Sequence, residues 1–155
     1  MAMWGDRNRR VLLVRGVYWL GAILDGLVGL RMLVADRVAV GGVMPGPGFR
    51  YAMWTAAALM FSWSCLLLWA DRDPVERRGI LFLTACPAVL GLALAQGAAV
   101  STGFRTVRGA MPFWVVLSSL FVIFLGAYLV AREVAIAADR GAAQQPDAAD
   151  GAGLR

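Results

Sequence analysis

Few residues of this chain have side chains suited to chemistry, and the foremost is Asp25. It sits near the middle of the stretch Val11-Leu-Leu-Val-Arg15-Gly-Val-Tyr18-Trp-Leu-Gly-Ala-Ile-Leu-Asp25-Gly-Leu-Val-Gly-Leu-Arg31-Met-Leu-Val34, which otherwise reads as a membrane-spanning helix. A carboxylate at that depth costs on the order of 3 kcal/mol on insertion scales. Something must offset the cost: a proton, hydroxyl hydrogen bonds, water, or a basic group. Arg15 shares a helix face with Asp25 but lies about 15 Å away along the axis, and Arg31 lies about 9 Å away, at 1.5 Å rise per residue. Both can snorkel to the nearer membrane surface. The chemistry within reach of such a group is binding of a proton or cation. The bland alternative is a neutral acid that holds helices together.

The remaining inventory is thin. The 155 residues include no histidine, so the commonest general base and the commonest metal ligand are missing. Cys65 and Cys86 fall at similar depth on neighbouring helices, but two thiols without a Cys-x-x-Cys make a poor metal site and read as small packing residues. No nucleophile–base pair, phosphate loop or metal-ligand spacing is present, so neither catalysis nor a cofactor is expected. Pro87, inside the third apolar stretch, frees a carbonyl near Leu83 and can kink its helix. Gln96, near the end of that stretch, can line a vestibule or cap the helix. The segment 70–79 is the densest charge cluster and reads as a solvated hairpin, with Asp73 and Pro74 suited to a helical turn.

These residues need helices to hold them. Sixty per cent of the chain is apolar and sixteen per cent charged, with a mean hydropathy of +0.67, which places it in the membrane class. Spans are predicted over 11–35, 51–70, 79–100 and 112–131, each close to the roughly 20 residues a bilayer requires. The predicted fold is all-α, a polytopic antiparallel bundle of four transmembrane helices over 1–140. Residues 132–140 would extend the fourth helix by two turns, and 141–155 would form a disordered cytoplasmic tail. The first stretch is too long for a signal h-region and contains Asp25, so it reads as an uncleaved span.

Fifteen arginines and no lysine face ten acids, for a formal charge of +5. The arginines scatter over helix ends and loops, which suits lipid headgroups and topology setting rather than nucleic acid. Arg7, Arg9, Arg10, Arg72, Arg77, Arg78, Arg132, Arg140 and Arg155 share one side of a four-span layout, against Arg37, Arg50, Arg105 and Arg108 on the other. The positive-inside rule then places both termini in the cytoplasm; the expected location is the cytoplasmic (inner) membrane.

Small and polar residues at heptad spacing suggest the packing faces. They are Arg15, Tyr18, Ala22, Asp25 and Gly29 on the first helix, and Thr55, Ala58, Ser62, Cys65 and Trp69 on the second. The third offers Thr84, Ala88, Gly91 and Ala95, and the fourth Val115, Ser119, Val122 and Gly126. Counting depth along each helix makes Ser62 and Ser119 the expected hydroxyl neighbours of Asp25, with Tyr18 two turns along its stripe and Trp63 as a wall.

The run Trp69-Ala-Asp-Arg-Asp-Pro-Val-Glu-Arg-Arg-Gly-Ile-Leu, after a helix ending Trp-Ser-Cys-Leu-Leu-Leu, resembles a hairpin of small uncharacterised prokaryotic membrane proteins. That resemblance covers about 50–95 and implies a four-span layout with no established activity. In outline the chain also resembles small multidrug transporters, without a shared motif. The functional expectation is a non-enzymatic membrane subunit in contact with the lipid bilayer. It serves either as a small transport or ligand-binding component, a homo-oligomer built around Asp25, or as an accessory subunit whose Asp25 pairs with another membrane protein.

Overall fold

The computed structural model of the chain describes residues 2–35, 46–103 and 105–143. Their regular structure is helical: α1 (Ala2–Ala35), α2 (Pro47–Ala70), α3 (Gly79–Leu83), a π-helical turn (Thr84–Val89), α4 (Leu90–Ser101) and α5 (Val107–Ala143). The segments from Gly79 to Ser101 form one rod, so four helices are long and apolar enough to cross a membrane. The protein is an all-α, multi-pass integral membrane protein, as the hydropathy pattern predicts. The connection 36–45 and the chain from 144 lie outside the described residues, and with them most of the expected tail.

Local chemistry explains where the helices stop. Gly46 is extended and Pro47 occupies the first turn of α2, where its missing N–H has no helical partner to lose. At the other end the Asp71 N–H still reaches the Leu67 carbonyl at 3.1 Å. α4 ends at Ser101, and the chain turns at Gly103, whose φ of +73° lies in the left-handed region that a side chain would strain. α5 begins after Thr106, whose hydroxyl accepts the Gly109 N–H at 3.2 Å, a side-chain N-cap. α5 then continues past 131, so the expected two-turn extension is present. The proline inside the third span is accommodated by a π-helical turn built around Pro87. Proline supplies no N–H, and a widened turn lets the preceding carbonyls find later donors.

The chain divides into two compact units. Residues 15–72 form a hairpin of α1 and α2. Its helices meet at small residues: a Cβ on Gly29 would lie 3.3 Å from Met60 Cβ and 3.4 Å from the Ala57 carbonyl oxygen. One turn away the buried Ser64 hydroxyl donates to the Ala22 carbonyl at 3.0 Å. Lipid gives no hydrophobic drive for this pairing, so close backbone approach and that hydrogen bond carry it.

The other unit comprises residues 1–14 and 73–155. In it α5 packs along α3, the π turn and α4, with Phe82 and Tyr128 rings 5.4 Å apart. Arg10 and Glu133 pair at 2.9 Å, tying the start of α1 to the last third of α5.

The buried faces differ from the predicted ones on α2 and α5 and along part of the third span. On α1 the prediction holds in part: Tyr18, Ala22 and Gly29 are buried. On α2 the buried residues are Ala57, Ser64, Leu67 and Ala70, whereas Thr55, Ala58, Ser62, Cys65 and Trp69 are exposed. On α5 burial follows Ala110, Leu117, Phe124, Ala127, Ala131 and Val134, and Val115, Ser119 and Val122 are exposed. Along the third span Thr84 is buried as expected, but Gly91 and Ala95 are exposed beyond the π turn, which shifts the phase of the face. The prediction assumed that hydroxyls seek the interior. A serine or threonine can instead donate to the carbonyl four residues back, which satisfies it on any face.

Candidate functional site

α1 places Asp25 between Ala22 and Gly29, on the edge of the face that meets α2. Its side chain is half-buried. Among the described residues no hydrogen bond or ion pair reaches its carboxyl group. The adjacent Gly26 backs onto Ser64, where an added Cβ would lie 3.7 Å from the hydroxyl oxygen, but that hydroxyl is donated to Ala22.

The expected neighbours are occupied elsewhere. Ser62 donates to the Ala58 carbonyl at 2.9 Å and is exposed. Ser119 donates to the Val115 carbonyl, also at 2.9 Å, and is exposed. Tyr18 is fully buried and Trp63 half-buried, and each has an interaction of its own. The residues that depth-counting grouped around Asp25 therefore sit on several faces of their helices. The reason is the hydroxyl self-bonding described above, which leaves depth a poor guide to facing.

Sequence reasoning missed the strongest polar constellation. Arg15 forms a two-pronged pair with Asp71, Nε to Oδ1 and Nη2 to Oδ2, both at 3.0 Å. Trp19 Nε1 adds a third donor to Oδ2 at 3.2 Å. The Asp71 side chain is only 9% exposed while that of Arg15 is 49% exposed, so the carboxylate is enclosed and the guanidinium forms its lid. Arg15 and Trp19 stand one turn apart on α1, and Asp71 caps the end of α2, so the triad closes one end of the hairpin. A signal existed: in an antiparallel hairpin the start of one span lies level with the end of the next, which sets Arg15, fifth in the predicted span 11–35, near Asp71, the first residue past 51–70. Read from spacing alone, Asp71 falls in a solvated hairpin and Arg15 on the stripe of Asp25, so the pair is not evident from either helix by itself.

A second feature belongs to the other unit. α4 and α5 flank an open apolar groove of about 520 Å³, with Leu117 as its floor and Leu94, Trp114, Phe121 and Val122 among its walls. Beyond its end, Arg105 Nη1 donates to Gln96 Oε1 at 2.8 Å, so Gln96 holds an arginine near the helix end. Elsewhere Arg77 pairs with Asp73 one turn apart in the 71–78 connection, at 3.0 Å. Neither Cys65 nor Cys86 is in a disulfide; Cys65 is exposed rather than buried as expected, and Cys86 is half-buried.

Comparison with known proteins yields no matching family model, no similar curated protein and no similar solved structure, so no family is assigned.

Proposed function

We propose that the protein is a small non-catalytic subunit of a membrane assembly, and that Asp25 is the position through which it engages a second transmembrane chain. The observation that carries this reading is a half-buried carboxyl group inside a span with no partner among the described residues. Ser62 and Ser119, the expected hydroxyl neighbours, each donate to a carbonyl of their own helix. Hydrocarbon offers an acid nothing and no described residue supplies a partner, so a basic side chain on another membrane helix is the best match. A second copy of this chain, offering its exposed Arg31, is one such partner. The arginine distribution supports insertion in the cytoplasmic membrane with both termini cytoplasmic.

A second reading is a small transport or ligand-binding subunit with Asp25 as its proton or cation site. It draws on the carboxyl group's partial exposure, which leaves it open to a small cation. Asp25→Asn distinguishes the two. Under the assembly reading, a tagged protein extracted in mild detergent retains a stoichiometric membrane partner or a second copy, and Asp25→Asn releases it. If the variant keeps every partner but loses proton-coupled binding or flux in proteoliposomes, the transport reading replaces it. Unchanged association and unchanged flux would leave Asp25 with neither role.

A further inference from the structure

We infer that the groove between α4 and α5 is a binding site for one acyl chain of an anionic phospholipid, whose phosphate is held by Arg105. This inference is independent of any role for Asp25. The groove's residues lie deep in their spans. Leu94 is about 10 Å of helix from Ser101, Val89 about 18 Å, and Val122 about 22 Å from the start of α5, at 1.5 Å per residue. At such depths the surrounding solvent is hydrocarbon, and the groove's wall from Trp114 to Val122 runs about 12 Å, a length suited to an extended acyl segment. Its volume of about 520 Å³ falls within the range of ligand clefts, roughly 300–1,000 Å³.

Charge selects the lipid. Val89, Ala93 and Gln96 follow one another at spacings of four and three, so Gln96 continues the stripe that lines the groove. Its amide oxygen accepts from Arg105 at 2.8 Å, which fixes the guanidinium one turn beyond the groove wall. Arg108, exposed at the start of α5, adds a second positive charge at the same helix ends. The glycine-turned connection between α4 and α5 therefore sets cations at headgroup level above an apolar slot. This pairing suits a headgroup phosphate joined to an acyl chain, whereas a neighbouring protein helix would leave the arginines unused. The positive-inside rule gives these two arginines no purpose, because they lie on the side with fewer basic residues.

The test uses the full-length protein in detergent micelles, titrated with phosphatidylglycerol or phosphatidylcholine brominated midway along the acyl chains. Quenching of Trp114, taken as the difference between the parent protein and Trp114→Phe, reports occupancy. The expected result is quenching that saturates at one phosphatidylglycerol per chain. Arg105→Gln should weaken phosphatidylglycerol binding about fivefold, the value of one basic contact to an anionic lipid, and leave phosphatidylcholine unchanged. Ala93→Phe and, from the facing helix, Ser118→Phe should each abolish the Trp114 component while circular dichroism shows the helices intact. Equal quenching by the two lipids with no saturation means ordinary bilayer contact and overturns the proposal. A dimer whose formation shields Trp114 from both lipids overturns it in favour of a second copy. Should both groove-filling variants fail to fold, the stoichiometry and headgroup preference of the parent protein still decide the matter.

Discussion

Asp71 shows how an acid's surroundings outweigh its sequence position. It follows a span directly, where an acid is normally solvated, yet three donors from α1 enclose it. Replacing it with Asn keeps the shape but removes the charge that Arg15 and Trp19 address. The expected cost is about 1–3 kcal/mol, the range for a lost hydrogen bond to a charged group that leaves its partners unmet. Denaturant unfolding in micelles, followed by helix content, would measure it. Two neighbouring serines offer a sharper contrast. Ser64→Ala removes the hydrogen bond to the Ala22 carbonyl and should destabilise the hairpin by about 0.6 kcal/mol, the typical worth of an interhelical hydrogen bond in a membrane. Ser62→Ala removes only a bond within its own helix and should fall within about 0.5 kcal/mol of neutral, as for ordinary surface changes. Equal effects in the same unfolding assay would contradict the assignment of Ser64 to the buried face. Neither serine differs from the other in composition or depth by enough for the sequence to choose between them; only the direction of the hydroxyl does.

Among the elements, the α1–α2 pairing is the most exposed to a single change. Gly29 brings the backbones together where an added Cβ already meets Met60 and Ala57 at 3.3–3.4 Å. Alanine asks its neighbours to give by a few tenths of an ångström, and leucine cannot fit without separating the helices. Gly29→Leu should therefore cost about 1–3 kcal/mol, as overpacking does in tight interiors. Disulfide trapping between cysteines placed at 26 and 64, in a background lacking the native thiols, should fall in that variant; undiminished trapping would show that the helices do not rely on Gly29. The α1 face was legible because glycine, alanine and tyrosine coincide there with small-residue packing. The α2 and α5 faces were not, because in lipid both apolar and self-bonded hydroxyl residues sit comfortably outside. The π turn at Thr84–Val89 had a visible cause in Pro87, but its effect on the face of α4 could not be read from spacing alone.

For the whole molecule, orientation is the property open to direct test. A single cysteine placed at position 8 or 76, in a background without Cys65 and Cys86, should resist membrane-impermeant maleimide in intact cells and react after permeabilisation. One placed at 102 should react in intact cells; the reverse pattern would overturn cytoplasmic termini. By itself the sequence determined that this is an all-α protein with four helices long and apolar enough to cross a membrane, although α1, α2 and α5 run beyond the spans predicted over 11–35, 51–70 and 112–131. Hydrophobic length, proline, glycine and capping chemistry act locally, so they can be read locally. It also singled out Asp25 as an acid in an apolar setting. The tertiary structure alone decided which helix faces are buried, that Arg15 serves Asp71, that Ser62 and Ser119 serve their own helices, and that a groove opens between α4 and α5. The physical reason is the solvent: in hydrocarbon no hydrophobic pattern distinguishes inside from outside, so facing is settled by close packing and by hydrogen bonds between distant residues.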